Sequence, residues 1–439
     1  MNTKSRSRAS LVGLVIVWLL LLGSSFGQGL QRVDWPELEK AIDKKVAQVR
    51  PYLAEMRGGF YRFPELPGKP VRTANIMEGA LERSGFRVNR IGHSLVGTLR
   101  GGRPGPSVAI RFEMDAIPIS NAGQLPRLRV GVPGVRHALG NDVQLALASA
   151  LAGLLGKIKD EIPGSIRLIV ESGSSLLVGA RPLVEEGALK FDPEIELVIA
   201  LKPSPLSAGQ VGVSRGQATA AADVFEVELS DGITPEAFTQ RLEALAPNLG
   251  PSPAWNQAEF FADFARTNQS SENLISLSWT LSKDTLNPTF RGVVMAAHEG
   301  KIRATRGIIE EALAPLLDDV SLSFPMEPVA AVRNDPTLAD SAIAYLREAL
   351  GTDQVLEFRA PNLLVADDLS RFESETKTLL LWLGVANSEL GIRGIPGEPD
   401  FNIDEKALLT GLNTLAKLPL RYMAERVNSV LREQSGSQE

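Results

Sequence analysis

The chain has 439 residues, 44% of them hydrophobic and 22% charged, with a formal net charge of −6 and no cysteine. That length exceeds one small core and calls for two domains. The acidic balance argues against nucleic acid or anionic membrane surfaces as partners, and the missing cysteines exclude disulfides. They also leave His93, His137 and His298 as the only imidazoles for a transition metal.

At the start, Lys4, Arg6 and Arg8 precede the apolar run LVGLVIVWLLLL, residues 11–22, and then the small-x-small step Ser25-Phe26-Gly27. The run is short for a membrane span, which takes roughly 20 residues, so 1–27 is expected to be a cleaved signal peptide. An uncleaved membrane anchor is the alternative. On either reading the folded part is exported, and the chain meets no membrane beyond this segment.

DWPELEKAIDKKVAQVRPYLAEM follows, with Asp34 and Glu37 spaced as a capping box and Leu38, Ile42, Val46 and Val49 on one helical face. VRTANIMEGALERSGF predicts a second helix stopped by Gly85. SVAIRF (107–112), SIRLIV (165–170) and ELVIAL (196–201) predict strands. They alternate with helical stretches at 143–158 and 177–188. This alternation points to an α/β fold, a mostly parallel sheet flanked by helices on both faces.

From about residue 220 the pattern changes. ADVFEVELS alternates like a half-exposed strand, and TPEAFTQRLEALA, LISLSWTLS, GKIRATRGIIEEALAPLL and VSLSF continue helix, strand, helix, strand. An inserted α+β domain of the lid or dimerisation type is expected at 219–327. It interrupts a discontinuous catalytic-type domain at 28–218 and 328–432. ADSAIAYLREALG, the strand LLLWLGV and a last helix, DEKALLTGLNTLAKL, complete the larger domain, and 433–439 read as a flexible tail.

In an open parallel sheet, ligands bind beyond the carboxyl ends of the strands. RFEMDAIP, ESGSSLLVGA and KPSPLSAG leave those ends, and RHALGNDV (136–143) opens the helix between the first two. Glu113, Asp115, His137, Asp142, Glu171, Ser174, Ser175 and Lys202 are therefore expected to converge on one cleft.

Four runs in order, PGPSVAIRFEMDAIP, GVRHALGNDVQLAL, RLIVESGSSLLVGARPLVEEGAL and AGQVGVSRGQATAAADVFEV, resemble the zinc-dependent amidohydrolases of the aminoacylase and carboxypeptidase group. The hippurate hydrolase and indole-acetyl-amino-acid hydrolase branch is the most similar. FYRFPEL, VADDLSRF and GEPDFNIDEKALLTG extend the resemblance over nearly the whole mature chain.

The resemblance implies hydrolysis of amide bonds in N-acyl amino acids or peptides, a zinc or manganese cofactor, and a homodimer. It also implies ligand positions at which this chain departs. His-Ala-Cys-Gly-His-Asp becomes His137-Ala138-Leu139-Gly140-Asn141-Asp142, so a cysteine and a histidine ligand are replaced by Leu139 and Asn141. Gln-Pro-Ala-Glu-Glu becomes Glu171-Ser172-Gly173-Ser174-Ser175. This puts Ser174 at the general-base position and Ser175 at a ligand. The remaining ligand histidines align with Lys202 and Gly397, the early histidine with Tyr61, and the substrate-binding arginine with Met295.

The leading expectation is thus a catalytically inactive homologue without a cofactor, serving as a binding or partner protein for a small amide, acyl-amino acid or peptide. The alternative is an active hydrolase with a rebuilt site. One such site would be a hard-cation cluster of Glu113, Asp115, Asp142, Glu171, Asp367 and Asp368; another would be a serine–lysine pair of Ser174 or Ser175 with Lys202. A purely structural partner protein is the third reading. Lys202 is expected either to replace the ion by pairing with Glu171, Glu113 or Asp142, or to be solvated. His137 is expected to be a hydrogen-bonded loop histidine, and Asp115 and Asp142 to brace turns.

Overall fold

A computed structural model describes residues 29–119, 130–230, 233–245, 275–282, 289–314, 320–358 and 361–436. The expected signal peptide lies outside these residues. Among those described, no helix is long and apolar enough to cross a membrane.

The first helices are α1 (Trp35–Val49), α2 (Leu53–Arg62) and α3 (Val71–Arg83). The Asp34 carboxylate caps α1 by accepting from the Glu37 amide, and Trp35, Leu38, Ile42 and Val46 are its buried stripe. Next come β1 (Arg87–Ile91), β2 (Ser94–Arg100), β3 (Arg103–Glu113), α4 (Asn141–Lys157), β4 (Pro163–Glu171), α5 (Ala180–Glu185), β5 (Leu197–Ser207) and β6 (Val211–Ser214). β7 (Thr219–Leu229), α6 (Pro235–Leu245), β8 (Ile275–Ser282), β9 (Thr289–Ala296), α7 (Glu299–Leu313) and β10 (Val320–Ser323) follow. The chain closes with α8 (Pro336–Leu350), β11 (Val355–Phe358), β12 (Asn362–Ala366), β13 (Lys377–Ala386) and α9 (Lys406–Gly436).

Among the described residues the larger sheet has eight strands in the order β1-β2-β4-β3-β5-β13-β6-β11. Its centre, β4, β3, β5 and β13, is parallel, as the strand–helix alternation predicts. The flanks are the exceptions that a mostly parallel sheet allows: β2 runs antiparallel to β4, and β6 antiparallel to β13. The cause at one edge is local, since two residues join β1 to β2 and a hairpin must be antiparallel.

Side-chain alternation splits the core between the two faces. Val108, Ile110, Ile199, Leu201, Leu381 and Leu383 pack towards α1, α3, α4 and α9. Ala109, Ile169, Val198, Ala200, Leu380 and Trp382 pack towards Leu183, Leu189, Leu369 and Phe372.

The smaller sheet runs β8-β9-β7-β10, and β12 pairs in parallel with the start of β7. Phe225, Val227, Phe238, Phe290, Ile302 and Ile309 form its core. β7 is half-exposed only in its second half, at Glu226 and Glu228; in its first half Leu177 and Val329 cover the other face at Ala222 and Val224. The last helix also outruns its prediction and continues to Gly436, well into the segment expected to be a flexible tail.

Candidate functional site

The same alternation builds the site. Arg111 and Glu113 on β3, Glu171 on β4 and Lys202 on β5 all project to the Trp382 side of the sheet, at or near the strands' carboxyl ends. Arg111 sits among four carboxylates. Its Nε donates to Glu171 Oε2 at 2.7 Å, Nη1 to Glu113 Oε1 at 2.8 Å and to Asp367 Oδ1 at 2.7 Å, and Nη2 to Asp368 Oδ1 at 2.9 Å. All five side chains are buried. The Lys202 ammonium completes the group, donating to Glu113 Oε1 at 2.5 Å and to Asp367 Oδ2 at 2.6 Å.

Asp367 and Asp368 arrive on the turn after β12, which the Leu369 amide fastens to Asp367 and the Ala180 amide to Asp368.

Two cations face four carboxylates, and the titration behaviour follows from that imbalance. Desolvation opposes the Lys202 charge, but Asp367 and Glu113 outweigh it and hold the ammonium above its ordinary range. Burial likewise opposes ionisation of Asp367, yet Arg111 and Lys202 keep it well below the usual carboxylate range. Asp368 lacks the lysine, and burial lifts it to about 6 despite Arg111. Glu171 is lifted well above its ordinary value, first by burial and then by Asp368 and Asp367, with Arg111 opposing. Its Oε1 finds no hydrogen-bond donor.

A second constellation surrounds Asp115. Its Oδ2 accepts from the Gly173 amide at 2.8 Å, from the amide and hydroxyl of Ser175 at 3.3 Å each, and from the Ser174 hydroxyl at 3.4 Å. Asn141 is used in both directions: its amide donates to the Asp115 carbonyl at 2.8 Å, and its oxygen accepts from Gln144 at 3.1 Å. Gln144 also receives the Glu113 amide, which joins this constellation to the Arg111 cluster.

A third lies at the start of α4, where Arg57 Nε donates to Asp142 Oδ2 at 2.7 Å and the guanidinium stands 5.6 Å from the Tyr61 ring centre. His137 is buried beside it. Burial outweighs the pull of Asp142 and lowers its pKa, holding the imidazole neutral. The expected hydrogen bonds of this histidine are not made in full. Neither ring nitrogen meets bonding geometry, although the Asp115 backbone is near enough to favour the protonated ring.

The expected single cleft is therefore three adjoining groups. Glu113, Glu171 and Lys202 meet in the first; Asp115, Ser174, Ser175 and Asn141 in the second; His137 and Asp142 in the third. Lys202 pairs with Glu113 and Asp367, and not with Glu171 or Asp142, whose partners are Arg111 and Arg57. Asp115 and Asp142 brace local structure, as one expectation had it.

Leu139 and Gly397 belong to the same neighbourhood, since the Gly397 amide donates to the Ala138 carbonyl. Gly140 is held left-handed at φ 81° against Pro203, where a Cβ would come within 2.6 Å of the ring.

The serine–lysine pair finds no support in the contacts, because Ser174 points to Asp115 and Lys202 is held as a cation. Arg111, at the centre of the first group, is not among the residues the strand-end loops single out. The signal was a lone cation in the apolar strand SVAIRF, which burial obliges to find carboxylates. A groove of about 1310 Å³, lined by Trp35, Tyr345, Arg421 and Tyr422, lies at the opposite end of the central strands, by Ser107 and Lys377.

The description of peptidase family M20/M25/M40 matches residues 109–421. The chain belongs to that family. A relative from Synechocystis sp., which carries the name probable hydrolase, is 27% identical over 86% of this chain and 98% of its own length. The N-acetylcysteine deacetylase of Bacillus subtilis is 24% identical over 83% of this chain and 95% of its own. Among solved structures, a Bacillus subtilis protein titled a dinuclear metal binding peptidase of the M20 family superposes with a TM-score of 0.60. It is 21% identical and covers 86% of this chain and 99% of its own. That likeness shows a shared M20 fold.

Proposed function

We propose that this chain is an exported, catalytically silent M20 member that keeps the cleft at the carboxyl ends of the central strands as a binding site. The ligand class is a small amide, an N-acyl amino acid or a peptide. The observation that carries the reading is the Lys202 ammonium lodged between Glu113 and Asp367, at a position where the family resemblance places a metal-ligating histidine.

A zinc hydrolase needs imidazole, thiolate or carboxylate ligands and an open coordination position to lower the pKa of water to roughly 7. The residues present do not fit that requirement. Leu139 and Gly397 offer no donor side chain, Asn141 is spent on Asp115 and Gln144, Ser175 is spent on Asp115, and Lys202 repels a cation. Ser174 supplies no carboxylate to accept a proton at the general-base position. No hydrolytic step is derived through a metal here.

What the site supports is recognition, by the polar groups around the rim of a buried ion cluster. The similarity to an N-acetylcysteine deacetylase supports the N-acyl amino acid class. Export rests on residues 1–27, and self-association through the smaller sheet rests on the family resemblance.

The test is elemental mass spectrometry on residues 28–439 after incubation with Zn²⁺ or Mn²⁺ and desalting, beside hydrolysis assays on N-acyl amino acids and dipeptides and calorimetry with the same compounds. Metal far below one ion per chain, no turnover and measurable binding are expected. Turnover that a chelator abolishes would restore the hydrolase reading, and turnover lost in Ser174→Ala would restore the serine version. A dimer that binds none of the compounds would select a purely structural partner.

A further inference from the structure

We propose that Lys202 is a tethered cation plugging a divalent-ion position between Glu113 and Asp367. The proposal rests on the silent-member reading and adds what replaced the ion. Nζ lies 2.5 Å from Glu113 Oε1 and 2.6 Å from Asp367 Oδ2. Carboxylate oxygens hold Ca²⁺ at about 2.3–2.6 Å, so the gap these oxygens define already suits a hard ion of that size.

The two carboxylates come from distant parts of the chain, the end of β3 and the turn after β12, and β5 delivers the lysine between them. Neither carboxylate depends on Lys202 for its position. Arg111 Nη1 holds Glu113 Oε1 and Asp367 Oδ1, the Gln144 side chain holds the Glu113 amide, and the Leu369 amide holds Asp367. Removing the ammonium therefore leaves the pair aimed at the same point.

The Lys202 side chain retains 16% exposure while both carboxylates are buried, so the position lies next to solvent, and removing the side chain opens it to water that can complete the shell of an ion. The cluster also contains an unspent acceptor, Glu171 Oε1, buried and without a donor. No three acidic or histidine side chains among the described residues are grouped to hold a metal ion, so the opened position offers two carboxylates and leaves the rest of the shell to water. The charge of Arg111 beside the gap limits affinity, which places the opened position with weak oxygen-ligand sites, Kd about 10⁻⁴–10⁻³ M.

The test compares the wild-type chain with Lys202→Ala and Lys202→Met, by calorimetry with CaCl₂ or MnCl₂ alone and by thermal unfolding with and without about 5 mM of either salt. Lys202→Ala is expected to take up one ion and to gain roughly 2–4 °C in Tm. Wild type is expected to show neither effect, and Lys202→Met, whose stem still fills the gap, a smaller one. A Lys202→Ala chain indifferent to both ions overturns the proposal, as does wild type binding one ion with equal affinity.

If Lys202→Ala folds only when a divalent ion is supplied during refolding, the proposal stands. If neither ion recovers it while Lys202→Met folds, the proposal falls. Hydrolysis by wild type would end the silent-member reading whatever the variants do, whereas an indifferent Lys202→Ala ends only the plug.

Discussion

Arg111→Met removes the cation that four buried carboxylates share while keeping much of the aliphatic volume. Glu113 and Asp367 retain Lys202, but Glu171 and Asp368 lose Arg111, their one ion-pair partner among the described residues. Removing one member of a buried pair costs about 3–5 kcal/mol. Proton uptake sets the ceiling. Neutralising Glu171 or Asp368 near pH 7, from ordinary values of 4.5 and 3.8, costs about 3 and 4 kcal/mol respectively.

Both groups are already lifted in the wild type, so part of this cost is present before the substitution. Asp368, already lifted to about 6, bears roughly 3 of its 4 kcal/mol in the wild type, so the net loss is expected to be about 2–4 kcal/mol near pH 7, a large fraction of the stability of many domains. Near pH 5 the same ceilings fall to roughly 1 and 2 kcal/mol, so the gap between variant and wild type narrows by about 1–3 kcal/mol. Urea unfolding followed by fluorescence is a suitable assay, because Trp382 is buried on the same face of the sheet as Arg111. A variant within about 1 kcal/mol of wild type near pH 7, or a gap unchanged near pH 5, would refute the charge argument.

Three further outcomes follow from particular contacts. Asp368 has its folded pKa raised from 3.8 to about 6, so the folded state binds the extra proton and the stability it contributes is lost as pH rises between those values. Wild type measured against Asp368→Asn should lose roughly 3 kcal/mol across that window, and a difference that is flat or rises with pH would contradict the assignment. Asp367, held low, acts oppositely: its contribution is present above its ordinary value and declines only as pH falls below it.

Asn141→Ala strands the Asp115 carbonyl and the Gln144 amide, for a loss of roughly 2 kcal/mol in denaturant titrations, with metal content unchanged. A drop in bound metal would instead mark Asn141 as a ligand. Gly164→Ala should cost more than about 2 kcal/mol by the same titration. The residue has φ 91°, and an added Cβ would lie 1.8 Å from the Pro106 carbonyl oxygen, so a variant of wild-type stability would show that the start of β4 rearranges freely.

Periodicity by itself determined much of this protein. SVAIRF, SIRLIV and ELVIAL read as strands because a sheet covered on both faces needs apolar residues at every position, and the period of two carried Glu113, Glu171 and Lys202 onto one face. The motifs that carry the family resemblance were legible in the order of the residues alone.

Three things were decided only by the tertiary structure. The antiparallel flanks of the sheet depend on which strands meet, and hydrogen-bond pairing is not written in any single segment. The burial of the first half of β7 depends on Leu177 and Val329, distant in the chain. The partners of Lys202 depend on where a turn some 165 residues away comes to rest. Local sequence announces which charges must be neutralised, because burying one unpaired is prohibitive. Only the packed chain brings Asp367 and Asp368 to Arg111 and Lys202, because opposite charges pair by distance in space, irrespective of their separation in sequence.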